Sequence, residues 1–220
     1  TSTAASFTYS STGQPPVTFR VDLTKNKFER LPDTGSINFS DSKLIFETVR
    51  YPSFDGKMTE MLLVRRSDQK GPAPFAYLYS YGFIGVPNLS QWNRKFQLAL
   101  ELGGVVAIPY VRGGGEFGAS FQLAGTQKRE NTFQDLVFAS RWLKANKKAE
   151  RVAAVGRSFG GLTGAVHYVH HQADFDLISA IVPVTDWKKH FAGAGWWMGD
   201  DFGIRRNAAG KATASDAVAL

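Results

Sequence analysis

The sequence predicts an α/β fold on a predominantly parallel sheet, preceded by a short antiparallel β element. Three observations carry this. From residue 44 onward, short apolar strands alternate with helical stretches, the pattern of parallel strands joined by crossover helices. Val105–Val111 and Leu177–Val184 are near-continuous apolar runs, as strands covered on both faces must be. Gly156-Arg157-Ser158-Phe159-Gly160 lies directly between one strand and one helix.

Taken in order, residues 1–45 read apart from the rest. Val17–Leu23 alternates around Thr, Val and Phe and predicts a strand. Lys25-Asn26-Lys27 makes a turn, and Lys27–Leu31 returns as a second strand. A lone hairpin is marginal in water, so this one should belong to a larger sheet. Leu44–Tyr51 and Met58–Val64 flank a turn centred on Asp55-Gly56. Phe75–Tyr79 is a short strand, Gln91–Leu102 a helix stopped by Gly103-Gly104, and Val105–Val111 a buried strand. Ala119–Lys128 lacks a sustained apolar stripe, and no helix is expected there. Thr132–Ala145 reads as a helix with Thr132 as its N-cap and Asp135 in the acidic slot of a capping box. Val152–Val155 is a strand, Leu162–His171 a helix, and Leu177–Val184 the next strand. Asn207–Leu220 is Ala-rich and carries no strong pattern.

Composition narrows the functional classes. A chain of 220 residues makes one domain, or one and a piece of another. With 43% hydrophobic and 20% charged residues, collagen-like, coiled-coil and wholly disordered readings fall away. The absence of cysteine excludes disulfide scaffolds, zinc ribbons and thiol nucleophiles, and fits a reducing compartment, the cytoplasm. The net charge is +7, but the basic doublets Arg65-Arg66, Lys147-Lys148, Lys188-Lys189 and Arg205-Arg206 are scattered. No nucleic-acid partner is expected from such dispersed charge. The apolar runs fall far short of the roughly 20 residues that span a bilayer, so no membrane partner is expected. Thr1–Ser11 shows no signal peptide and no initiator Met, which fits processing or truncation upstream.

The strongest chemical signal is the Gly156-x-Ser158-x-Gly160 turn. A strand that turns sharply into a helix lifts a serine hydroxyl clear of the sheet edge, and only glycines fit on either side of it. The helix then aims its positive end where an oxyanion would form. The bland alternative is a plain Gly-rich turn. Gly113-x-Gly115-x-x-Gly118 matches a dinucleotide fingerprint by letters, but that fold needs a helix to open there, and none is expected. His167, His170 and His171 sit at helical spacing, with Asp174 beyond. They read as one face of a helix rather than a metal site, for want of further ligands. Asp186 and His190 complete a Ser…Asp…His order, but four residues apart they share one helical turn, and Asp186 is better read as an N-cap.

These residues together resemble the prolyl oligopeptidase family. Tyr110–Gly118 is similar to the family's Arg-Gly-Gly-Gly-Glu-Tyr-Gly segment, and Asn131-Thr132-Phe133-Gln134-Asp135 to the Asn-x-Phe-x-Asp that follows. Gly156–Leu162 looks like its serine turn, Tyr79-Ser80-Tyr81-Gly82 like its Tyr-Gly-Tyr-Gly turn, and Tyr51–Gly56 like the start of its hydrolase domain. The similarity runs from about Phe19 to Gly203, in the family's order.

The resemblance implies an α/β-hydrolase fold, incomplete at the C-terminus, with the N-terminal β-hairpin as a remnant of a β-propeller. Residues 1–45 would be the tail of the last blade and a linker, and 46–220 part of the peptidase domain. It implies a serine peptidase acting on short peptides, after proline, with Ser158 as nucleophile and no cofactor or metal. Tyr81 would supply a hydroxyl, and Phe159 its backbone N–H, to an oxyanion hole. Phe83, Trp196 and Trp197 would form aromatic walls for a substrate proline, an apolar ring that a flat aromatic face suits. Phe159 departs from the Asn of the prolyl-specific branch, and Tyr81-Gly82-Phe83 has one glycine where the family commonly has two. The family's acid and histidine would lie past residue 220, and the chain would associate with a missing propeller or C-terminal portion. Two other readings stand beside this one. One is a non-catalytic fragment or pseudoenzyme. The other is cleavage after Arg or Lys, or general esterase action, for which Asp200 and Asp201 leave room.

Overall fold

The computed structural model describes residues 3–32 and 43–186, with two further short strands, β10 (Ile204–Arg206) and β11 (Ala212–Ala214). The main body is a six-stranded sheet of β4 (Leu44–Pro52), β5 (Met58–Arg66), β6 (Ala76–Tyr79), β7 (Val105–Pro109), β8 (Val152–Arg157) and β9 (Leu177–Ile181). Their spatial order is β4-β5-β7-β6-β8-β9. β4, β5 and β7 pair antiparallel, whereas β7, β6, β8 and β9 run parallel. The sheet is thus mixed, with its parallel half where the crossover helices lie.

Those helices are α1 (Arg94–Glu101), α2 (Ala119–Gln127), α3 (Glu130–Ala145) and α4 (Phe159–His170). The sheet is covered on both faces, and strand periodicity sorts the side chains. Met61 and Leu63 of β5 join Ala107, Leu136, Val137 and Leu143 in one cluster, against α3. Leu62 and Val64 join Val106, Ile108, Phe96 and Leu100 in the other, against α1. This two-sided burial is why β7 reads as an unbroken apolar run, and all five of its residues are buried.

Three local expectations are corrected. A helix does open after Gly118: α2 fully buries only Gly125, so it needs no apolar stripe. α3 begins at Glu130, which puts Thr132 inside the helix rather than at its cap. Asp135 leaves the capping box and pairs with Arg112, a long-range partner that local pattern could not show. The N-terminal hairpin, β2 (Gln14–Asp22) and β3 (Lys27–Arg30), belongs to a larger antiparallel sheet as expected, its third strand being β1 (Ala4–Ser11). β1 is mostly exposed and alternates Ala5, Phe7 and Tyr9 with Ser6, Thr8 and Ser10, the period of a strand. Its pairing with β2 holds it, with Phe7 stacked on Phe19 at 5.3 Å.

A buried contact joins the small sheet to the large body. Thr12, fully buried in the β1–β2 turn, meets the Ser90 hydroxyl through its own hydroxyl at 2.9 Å and donates its N–H to the same oxygen at 3.4 Å. Among the described residues no helix is long and apolar enough to cross a membrane.

Candidate active site

The register of the parallel strands sets up the site. Tyr79, the last residue of β6, lies opposite Val155 of β8. The segments leaving both strands therefore emerge side by side at the carboxyl edge, where parallel α/β sheets place their sites. One carries Tyr81 and the other Ser158.

Ser158 joins β8 to α4 with φ 59° and ψ −120°, backbone angles an L-residue holds at a cost of about 1–3 kcal/mol. The surroundings enforce them. The Ser158 N–H donates to the Ile181 carbonyl at 3.0 Å, and its carbonyl accepts from Leu162 at 3.1 Å and Val184 at 3.4 Å. A Cβ on Gly156 would lie 2.0 Å from the Gly160 carbonyl oxygen, and one on Gly160 would lie 2.7 Å from the Ser80 oxygen. The glycines two residues either side of the serine are thus sterically required, as the turn predicts.

The Ser158 side chain lies near enough to the Tyr81 phenol to favour its ionised form. Burial pushes the phenol above its ordinary range and outweighs that influence, so it stays a neutral O–H donor near pH 7. Phe159 is the first residue of α4, so its backbone sits at the positive end of the helix.

Phe83 departs from expectation. Its ring is fully buried, stacked on Phe159 at 5.6 Å, with the Arg129 guanidinium 4.6 Å from its centroid. It braces the site from inside and offers no open wall to a substrate. Trp196, Trp197 and His190 lie outside the described residues. His167 turns into the core, where Nε2 meets the Phe133 carbonyl at 3.0 Å and the ring stacks on Phe175. Burial lowers its pKa to about 4. His170 is exposed and His171 faces Asp174 at 3.8 Å. The three do not converge, and no metal-binding group of His, Cys, Asp and Glu forms among the described residues.

A second constellation underlies the site, and motif reading gave it no role. The Arg112 guanidinium, nearly fully buried, pairs with Asp135 at 2.6 Å and Asp55 at 2.6 Å and donates to Ser53 Oγ at 3.0 Å. The Arg112 N–H adds a bond to Asp135 at 2.8 Å. Burial opposes the guanidinium charge, yet its hydrogen bonds to Asp135 and Asp55 hold it more firmly charged than usual. Three separated motifs thus meet in one knot. Asp55 and Arg112 stand beside glycines in turns and Asp135 lies on α3, and only tertiary packing pairs them.

The glycines after Arg112 bring two loops into contact. A Cβ on Gly113 would lie 2.3 Å from the Gly82 oxygen, and one on Gly115 would lie 2.0 Å from the Gly85 oxygen. The Gly113 carbonyl accepts from the Gly85 N–H at 3.1 Å. These glycines serve loop-on-loop packing behind Tyr81, not a phosphate cradle.

Residues 90–215 match the pattern of the prolyl oligopeptidase family. The chain belongs to the prolyl oligopeptidase family. It is 30% identical over 194 residues to a prolyl endopeptidase of Elizabethkingia miricola, covering 83% of this chain and 27% of that protein. It is 32% identical over 190 residues to dipeptidyl aminopeptidase BI of Pseudoxanthomonas mexicana, covering 82% and 26%. Its structure is similar to that of prolyl oligopeptidase B from Galerina marginata bound to a 35mer hydrolysis and macrocyclization substrate. That match has a TM-score of 0.78 and 28% identity, and covers 90% of this chain and 29% of that one. The chain therefore spans about a quarter of the length of these prolyl oligopeptidase relatives. The six-stranded sheet is the corresponding part of their α/β-hydrolase fold.

Proposed function

We propose that Ser158 is the nucleophile of a serine peptidase that hydrolyses short peptides on the carboxyl side of proline. The observation that carries this reading is the pairing of a strained, glycine-framed serine at a strand–helix turn with a tyrosine hydroxyl reaching it from the neighbouring strand. Ser158 Oγ attacks the scissile carbonyl and forms the acyl C–O bond. The carbonyl oxygen becomes an oxyanion that the Tyr81 hydroxyl and the Phe159 N–H stabilise. The Oγ proton passes to a base and on to the departing amine, and water then hydrolyses the ester. Among the described residues no imidazole bonds Ser158, since His167 is held by Phe133 and His171 by Asp174. In this reading the base comes from outside them.

Preference for proline rests on the relatives named prolyl endopeptidase. The test uses protein that carries the entire catalytic domain. A fluorophosphonate should label Ser158, and Ser158→Ala should abolish both labelling and cleavage of a Gly-Pro reporter. Faster cleavage of an Arg reporter would move the specificity to basic residues. No labelling above background would make the protein non-catalytic.

A further inference from the structure

The segment after Tyr81 has an unusual backbone. Gly82, Ile84 and Gly85 all have positive φ, at 72°, 50° and 66°. For Ile84, a β-branched residue, that conformation is costly. No regular element holds the segment, so its shape depends on braces from elsewhere. One is the Gly85–Gly113 backbone bond. The other comes from Glu116, three residues further along the same glycine-rich stretch. Glu116 Oε1 accepts both the Asn88 N–H at 2.7 Å and the Asn88 side-chain amide at 2.9 Å. Asn88 is itself nearly buried. The other carboxylate oxygen is packed against Gly114, where a Cβ would lie 2.2 Å from it. Asn88 is thus fixed by two hydrogen bonds that it donates to one carboxylate oxygen. Such bonds to a charged acceptor are stronger than neutral ones.

The geometry points to Glu116 as a positioning residue for the oxyanion hole: its clamp on Asn88 fixes the far end of the strained segment and so holds the Tyr81 hydroxyl at Ser158. This rests on the proposed role of Tyr81. It assigns to the glutamate of the Gly113–Gly118 stretch a task in the chemical step without contact with substrate. The glycines and the glutamate then act together, the former letting the loops touch and the latter locking them.

The test is a double-mutant cycle in protein carrying the entire catalytic domain, read as kcat, KM and the rate of fluorophosphonate labelling. Glu116→Ala should lower kcat and the labelling rate roughly tenfold, the scale of one charge-assisted hydrogen bond, with KM little changed. Glu116→Gln should restore most of the loss, because its amide oxygen can still accept both Asn88 donors. In a Tyr81→Phe background Glu116→Ala should cost little more, since the hydroxyl it positions is gone. If the Glu116→Ala loss is as large in that background, Glu116 acts by another route and the inference falls while the oxyanion reading stands. If Tyr81→Phe itself leaves kcat unchanged, both fall. Should Glu116→Ala fail to fold, Asn88→Ala, which keeps the backbone donor, is carried through the same cycle and must show a smaller loss that also vanishes without the Tyr81 hydroxyl.

Discussion

Two glycine-rich turns at the same sheet edge look alike as strings of letters and do different physical work. At Gly156–Gly160 the first glycine serves the turn itself: the clash that forbids a side chain on Gly156 is with Gly160, four residues away, whereas the one on Gly160 is with the Ser80 oxygen of the neighbouring loop. At Gly113–Gly115 they serve a distant segment, because the forbidding atoms belong to Gly82 and Gly85, some thirty residues earlier. The first turn is closed by its own strand and helix. The second closes only when another loop is pressed against it and the Arg112 knot anchors it from beneath. A glycine pattern therefore identifies tight backbone, and its neighbours in space decide what the tightness is for.

The largest effect that separates the two turns should come from the anchor. Asp135→Ala leaves the buried Arg112 charge with only the half-buried Asp55, and should destabilise the fold by about 3–5 kcal/mol. Thermal denaturation would measure it, and a loss under about 1 kcal/mol, typical of exposed pairs, would mean that the knot is not a structural anchor. Next is Tyr81→Phe, which removes one oxyanion donor from the loop both turns support. It should lower kcat about 10²–10³-fold while leaving the melting temperature unchanged. A parallel fall in stability would assign the hydroxyl to packing instead.

A pH titration of stability probes the helix behind the serine turn. Burial holds His167 near pKa 4 in the fold against 6.5 in the unfolded chain, so acid protonates the unfolded chain first. Its contribution should be fully present above about pH 6.5 and decline by roughly 3 kcal/mol toward pH 4. His167→Gln should flatten that slope, and an unchanged slope would place its origin elsewhere. The smallest effect should be Gly118→Ala. Nothing lies within 4 Å of its would-be Cβ, but φ is +80° and ψ −164°, so only backbone strain opposes it, about 2 kcal/mol. A loss of several kcal/mol would show that the second turn is as crowded at Gly118 as at Gly115.

By itself the sequence determined the alternation of strands and helices from residue 44, and the serine turn. Both are local: burial of β7 on two faces demands an unbroken apolar run, and a sharp strand–helix turn demands glycines within four residues of each other. The family's motifs were also legible, in order, as letters. Tertiary structure alone decided what most of those letters do. It put Tyr81 beside Ser158 through the β6–β8 register, moved Asp135 from an expected cap to Arg112, and buried Phe83 where a substrate wall was expected. It formed α2 on a stretch without an apolar stripe, and added β1 as a third strand on β2, with Phe7 stacked on Phe19. In each case the deciding partner is distant along the chain, and short-range periodicity carries no information about it.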